Sequence, residues 1–381
     1  MRKIVIAPDS FKESFTAMQA ADAIEKGFRR VFPQAEYVKI PMADGGEGTV
    51  QSLVDALHGT IETVTVVGPL GDEVEATYGV SGDGKVAVIE MAAASGLHLV
   101  PPDKRNPLIT TTYGTGQLII EALEKGVEHI IIGIGGSATN DGGAGLATAL
   151  GVKLLASDGT QIDYGGAALA KLERVEIDHM HPRLKEVTIE VACDVDNPLL
   201  GEKGASAIYG PQKGANEEMV GELDRCLAHY ADKIKETLGK DIRDIPGAGA
   251  AGGLGAGLLA FLNVRLDSGV TLILEATGFH ERVKGASLVI TGEGRLDQQT
   301  IFGKTPIGVA KAAKQTDIPV LAFAGGLANG HEVIFEHGID VAFSIVPGIL
   351  SIEDALENGL RYLEGTAYNT AKIMSIQQQM E

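Results

Sequence analysis

The chain has 381 residues, with 32 Lys and Arg against 51 Asp and Glu for a formal net charge of −19, and it is 44% hydrophobic with 50 glycines and no tryptophan. This composition excludes a disordered or fibrous chain and describes a soluble α/β protein rich in tight strand-to-helix turns, with room for two domains. The acidity argues against nucleic acid or an anionic membrane as the main partner, and two cysteines, Cys193 and Cys226, suit neither a zinc site nor a disulfide framework.

After Met1-Arg2-Lys3 the apolar run Ile4-Val5-Ile6-Ala7 is too short for the core of a signal peptide, and no later stretch is long enough to span a membrane, so a cytoplasmic location is expected. Lys3 to Ala7 reads as a first buried strand and Thr16 to Phe32 as a helix. Between them lies Pro8-Asp9-Ser10-Phe11-Lys12-Glu13-Ser14, at the strand end where open α/β sheets bind ligands. Lys12 can grip a carboxylate or phosphate and Ser10 can donate a hydrogen bond; the competing reading is a simple N-cap arrangement before the helix. Tyr37 to Ile40 reads as a second strand and Glu47 to Leu57 as a second helix, joined by Met42-Ala43-Asp44-Gly45-Gly46-Glu47-Gly48-Thr49. There Asp44 beside two glycines can approach a ligand hydroxyl or a magnesium ion, or simply form an Asp-Gly turn.

From Thr63 to Met91 the alternation and the Gly82-Asp83-Gly84 turn predict antiparallel hairpin strands. Further βα units follow, with strands at His129 to Gly133 and Val187 to Ala192. The segment Gly133 to Ala144 holds five glycines in twelve residues together with Ser137, Thr139, Asn140 and Asp141. Such a segment can cradle phosphate oxygens by backbone N–H and hydroxyl groups, with Gly135, Gly136 and Gly142 allowing the approach. Asp194 ends another buried strand, where a general base or a metal ligand can sit. In Gly210-Pro211-Gln212-Lys213-Gly214-Ala215-Asn216 the asparagine is expected to cap the long polar helix running to Leu238, and Lys213 is either a phosphate ligand or a solvated lysine. Pro246 to Gly255, all glycine and alanine at its centre, fits either another anion-binding helix start or close helix packing.

The C-terminal third repeats the βα rhythm, with strands at Leu288 to Thr291, Val320 to Ala324 and Val341 to Ile345. Gly292 to Thr305 carries Glu293, Arg295, Asp297 and Lys304 and is read as a long polar loop between the strand ending at Thr291 and a helix from Pro306. It ends Gly-Lys-Thr, but the spacing of a P-loop would need glycine at Gln298, so it is not a standard one. A strand, glycine-rich loop and helix start together make an anion site.

The expected fold is α/β with two α/β domains: a Rossmann-like parallel sheet formed by both chain ends, residues 1–66 with 265–381, and an inserted domain, residues 67–264, with a mixed sheet. The active site is expected in a cleft between them. Neither the expected location of that cleft nor the oligomeric state is fixed by these residues.

With these motifs in view, the chain resembles the glycerate kinases of the bacterial glycerate 2-kinase type. The resemblance rests on Ala-Pro-Asp-Ser-Phe-Lys, Met-Ala-Asp-Gly-Gly-Glu-Gly-Thr, Gly-Gly-Ser-Ala-Thr-Asn-Asp-Gly-Gly, Ala-Cys-Asp-Val with Asn-Pro-Leu, Gly-Pro-Gln-Lys-Gly-Ala and the Gly-Glu-Gly to Gly-Lys-Thr-Pro run, in family order over nearly the whole chain. It implies a two-domain kinase that phosphorylates D-glycerate with ATP, most often to 2-phosphoglycerate. On our reading of the motifs, ATP phosphates are expected at Gly135, Gly136, Ser137, Thr139, Asn140, Asp141 and Gly142, with Lys213 and Lys304. Mg2+ is expected on Asp194 or Asp297 with Glu293, and glycerate on Ser10, Lys12 and Arg295, with Asp297 nearby. Asp194, or failing that Asp44, is the expected general base, with Lys12 and Arg295 completing the catalytic set. A 3-phosphorylating enzyme, a kinase of a related hydroxy acid and a non-catalytic carboxylate or nucleotide sensor are the alternatives. A nicotinamide dehydrogenase is disfavoured because no G-x-G-x-x-G follows the first strand.

Overall fold

A computed structural model describes residues 2–380, with side chains described to residue 376. In chain order the strands are β1 (Lys3–Ile6), β2 (Glu36–Lys39), β3 (Thr60–Val67), β4 (Glu73–Val80), β5 (Val86–Glu90), β6 (His129–Gly133), β7 (Lys153–Leu155), β8 (Arg174–Glu176), β9 (Thr188–Ala192), β10 (Val264–Asp267), β11 (Leu288–Leu296), β12 (Val320–Leu327) and β13 (Val341–Ser344). The chain divides into two compact units, one of Met1–Asp44, Gln51–His58 and Val270–Glu381, the other of Gly45–Val50 and Gly59–Gly269.

The first unit is built on a five-stranded sheet in the order β13-β12-β11-β1-β2, and every pairing in it is parallel. Ile4, Ile6, Leu288, Ile290, Leu321 and Phe323 on these strands are nearly or fully buried, as strands covered on both faces require. Helix Ala17–Arg29 covers one face and starts at Thr16, whose hydroxyl accepts the Gln19 N–H while the Gln19 side chain returns to the Thr16 N–H. Sequence order runs outward from β1 to β2 on one side and from β11 to β13 on the other. This is the flavodoxin-type arrangement of a doubly wound sheet, and its order reverses between β1 and β11.

The second unit holds a six-stranded mixed sheet, β10-β9-β6-β5-β4-β3, in which β5, β6, β9 and β10 run parallel while β3, β4 and β5 form the antiparallel meander expected from the alternation. The turn between β4 and β5 closes by the Gly84 N–H donating to Ser81 O at 2.9 Å. Helix Glu217–Leu238 begins where Asn216 predicts, with Asn216 Oδ1 accepting the Met219 N–H at 2.9 Å. The glycine-alanine segment around residue 250 serves packing. Helix Ala250–Phe261 carries left-handed backbone at Ala251, Gly252 and Gly253, and a Cβ on Gly252 would lie 1.9 Å from Thr139 O. Only glycine lets this helix press against the segment after β6. No helix among the described residues is long and apolar enough to cross a membrane.

Candidate active site

In the first unit β1 ends beside Ile290 of the longer β11, at the point where strand order reverses, the place where doubly wound sheets bind ligands. Asp9 lies there. Its N–H donates to Gly292 O at 2.8 Å, and its carboxylate accepts the Ser10 N–H and the Thr305 hydroxyl, each at 2.6 Å. The residue is only 7% exposed. Burial raises its pKa to about 6, helped by the charge of Asp44 and opposed by the Thr305 hydrogen bond and by Lys12. Lys12 is exposed and Ser10 and Asp44 are half-buried.

The segment from Gly292 differs from the polar loop expected there. β11 continues through Leu296, with Glu293, Arg295 and Leu296 paired to Ala324, Gly326 and Leu327 of β12. Backbone pairing with a long neighbouring strand outweighs the local glycine and charge content, which alone reads as a loop. Because side chains alternate along a strand, Glu293 and Arg295 share one face, and extended backbone at Asp297 carries the pattern on. Asp297 then caps a 3-10 turn, Gln298–Ile301, by accepting the Gln299 N–H at 2.9 Å.

Around Glu293 the charges are close but loosely paired. Its carboxylate accepts the Thr300 hydroxyl at 3.2 Å and lies 3.6 Å from Lys304 Nζ. Burial is the main reason its pKa rises to about 7, opposed by Lys304 and reinforced by Asp9 and Asp297. Arg295 has a side chain 71% exposed and only a 3.5 Å contact to Asp297, so its guanidinium fork is open to a ligand. Lys304 is the cap residue of helix Thr305–Lys314.

In the second unit the segment after β6 opens with Gly135 and Gly136 exposed, while Ser137 to Asp141 are buried. It is held from one side by the stretch before residue 98: the Leu97 N–H donates to Gly136 O at 2.8 Å and the Ala138 N–H to Ser95 O at 2.9 Å. Gly136 takes φ +76°, and the N–H groups of Gly135, Gly136 and Ser137 donate to no group among the described residues. Three consecutive N–H groups around a left-handed glycine form an anion-binding concavity.

The polar side chains behind this turn are engaged inward. Asp141 is fully buried and accepts from the Thr112 N–H and hydroxyl and from the N–H groups of Gly143 and Gly145, yet burial still raises its pKa. Asn140 Nδ2 donates to the Ser206 hydroxyl at 2.9 Å, while Asn140 Oδ1 and Thr139 Oγ1 are buried without a partner among the described residues. Lys213 is fully buried as well. Its ammonium donates to Ser137 Oγ at 2.7 Å and Thr139 O at 2.6 Å. Burial lowers its pKa to about 7, partly offset by Asp141.

Asp194 is exposed just beyond the end of β9 and accepts the Gly269 N–H at 3.1 Å. It belongs to the second unit, whereas Glu293 and Asp297 belong to the first. Among the described residues no group of three or more His, Cys, Asp or Glu is arranged to hold a metal ion by itself. Two carboxylates were not singled out from sequence. Asp9 lies inside the Pro8 to Ser14 motif, and its signal is a charged residue two positions past the apolar run Ile4-Val5-Ile6-Ala7. Glu90 at the end of β5 is half-buried, with its pKa raised chiefly by that burial; it accepts the Val50 N–H at 2.9 Å, and nothing local in the sequence marks it.

Comparison with known proteins gives one consistent result. The model of the glycerate kinase family matches residues 4–375. A glycerate kinase of Halalkalibacterium halodurans is 64% identical over 98% of this chain and 99% of its own length. The glycerate 2-kinase of Escherichia coli is 53% identical over 98% of both chains. A crystal structure from Salmonella typhimurium LT2, described as a candidate glycerate kinase 2, superposes with a TM-score of 0.93 at 52% identity over 99% of each chain. With its motifs in order and matches over its whole length, the chain belongs to the glycerate kinase family.

Proposed function

We propose that this protein transfers the γ-phosphoryl group of ATP to the 2-hydroxyl of D-glycerate. The observation that carries the reading is the cluster at the strand-order reversal of the first unit, where Lys12, Arg295 and Lys304 stand among the carboxylates of Asp9, Asp44, Glu293 and Asp297. Phosphoryl transfer needs positioning and charge neutralisation more than covalent chemistry, and those groups supply both. The 2-hydroxyl is chosen on the likeness to the E. coli enzyme, which is named for that position.

In this reading Ser10, Lys12 and Arg295 bind glycerate, Arg295 gripping its carboxylate through two parallel N–H donors. The N–H groups of Gly135, Gly136 and Ser137 receive ATP phosphates. Thr139, Asn140, Asp141, Gly142 and Lys213 act from behind by holding that turn in shape, and Lys304 supplies further positive charge. Asp194 takes the proton of the reacting hydroxyl, with Asp44 as the second choice.

Mg2+ fits the carboxylates of Glu293 and Asp297, or Asp194, because Glu293 is buried beside the acids Asp9 and Asp297, its pKa raised chiefly by that burial, with Lys304 at 3.6 Å the cation that offsets its charge. Mg2+ bound with a nucleotide needs only one or two protein carboxylates, so no complete protein cage is required. When bound it would neutralise charge on the phosphates. A reaction that consumes ATP fits a cytoplasmic location.

The test is to incubate the purified protein with ATP, Mg2+ and D-glycerate, follow ADP release against a glycerate-free control, and identify the product by phosphorus NMR. A 2-phosphoglycerate signal is expected. A 3-phosphoglycerate signal would retain the kinase and overturn the hydroxyl, and the absence of ADP release from folded protein would overturn the kinase itself.

A further inference from the structure

The second unit contains a cavity of about 580 Å³ that the roles above leave without an occupant. Gly133, Gly135 and Gly136 form one end of it, at the anion-binding turn after β6. Ala92, Ala93 and Leu97 make an apolar wall, and Thr77, Glu90 and His98 line the remainder, with Glu47 and the glycines before it. The volume lies within the usual range of small-molecule sites and far exceeds what a three-carbon acid fills.

The two ends have opposite electrostatic preferences. At the glycine end, the N–H groups of Gly135 and Gly136 have no acceptor among the described residues, which suits an anion. The rest is acidic: Glu47 and Glu90 line it, and no Lys or Arg does. Negative charge is unwelcome there, whereas hydroxyl and amino groups find acceptors on the two carboxylates, and the small apolar side chains of Ala92 and Ala93 leave room for a planar ring. A ligand anionic at one end, and neutral, planar and rich in hydrogen-bond donors at the other, is a nucleotide.

We infer that this cavity takes the ribose and base of the donor nucleotide, with the phosphates leading out across Gly135 and Gly136. The assignment rests on the reading that those glycines receive ATP phosphates. Gly136, on the cavity lining, takes φ +76°, a conformation that favours glycine, and a Cβ there would lie 3.3 Å from Ala92 Cβ. Ala93 is half-buried on the cavity wall, so a larger side chain there occupies the space assigned to the base.

The test compares binding of ATP and of inorganic tripolyphosphate to the unmodified protein and to Ala93→Phe by calorimetry. Loss of base contacts should raise the ATP Kd at least about tenfold. Tripolyphosphate, which has no nucleoside, should keep its Kd within about twofold. Unchanged ATP binding in the variant, or no ATP binding by the unmodified protein, would overturn the assignment. If both ligands weaken in step, the substitution has disturbed the turn, and photolabelling of the unmodified protein with 8-azido-ATP decides instead. Label between residues 77 and 98 supports the cavity, and label confined to other segments overturns it. Labelling of the cavity in a protein that shows no glycerate-dependent ADP release would uphold this inference while removing the kinase reading.

Discussion

Replacing Asp9 by Asn should make the protein more stable, and by an amount that depends on pH. The Asp9 carboxyl is 7% exposed, and burial moves its pKa from 3.8 to about 6. A group whose folded pKa lies above its unfolded one contributes stability that is complete below the unfolded value and lost as pH rises through the folded value. Here the loss runs from about pH 4 to pH 6 and amounts to about 3 kcal/mol above pH 7. Asparagine removes the charge and retains the contacts, since its oxygen can accept the Ser10 N–H and the Thr305 hydroxyl can turn to accept from its amide. Urea unfolding followed by circular dichroism should therefore show Asp9→Asn more stable than the unmodified protein by about 3 kcal/mol at pH 8 and by about half that at pH 5. Turnover should fall in the same variant, the common exchange of stability against activity at a functional site. A variant equally stabilised at both pH values, or destabilised at both, would refute the reasoning, because a buried ionised carboxylate would then not be the source of the effect.

Three further outcomes are expected. Asp194→Asn should reduce kcat by at least about a hundredfold with little change in unfolding free energy, because the residue is exposed; steady-state kinetics with unchanged kcat would remove it from the mechanism. Arg295→Lys should raise the KM for D-glycerate about tenfold by replacing a planar fork with a point charge, and an unmoved KM would take Arg295 off the substrate. Lys213→Met removes the donors to Ser137 Oγ and Thr139 O. Because the Lys213 pKa falls to about 7 in the fold, the penalty of burying its charge is full below that pH and fades toward the unfolded value. The variant should therefore be less destabilised at pH 6 than at pH 9, by roughly 2 to 3 kcal/mol, and urea unfolding at the two pH values reads the difference.

Much of the local structure was legible in the residues. Runs such as Ile4-Val5-Ile6 and Ile130-Ile131-Ile132 are apolar throughout, which only strands covered on both faces require. Thr16 and Asn216 marked helix starts because a side chain that caps its own backbone acts within a few residues, and the structure shows both caps. The glycine-rich motifs were visible for the same reason, being contiguous stretches whose composition reports what the backbone there must do. In the Gly292 to Leu296 segment that logic failed, because a partner strand supplied from elsewhere in the chain decides whether a glycine-rich stretch extends.

The sequence by itself determined the class of fold, the antiparallel meander within the second unit and the family, since all three are carried by short-range pattern and by motifs in order. Tertiary structure alone decided strand order, with its reversal between β1 and β11, and the state of the titratable groups. Asp9 meets the Thr305 hydroxyl across 296 positions of chain, and Lys213 reaches Ser137 across 76. Lys213, which the sequence leaves as either a phosphate ligand or a solvated lysine, is fully buried, and Asp9, which reads as a loop residue, takes a raised pKa. Burial and charge environment are set by what packs around a group, and those neighbours are distant in sequence.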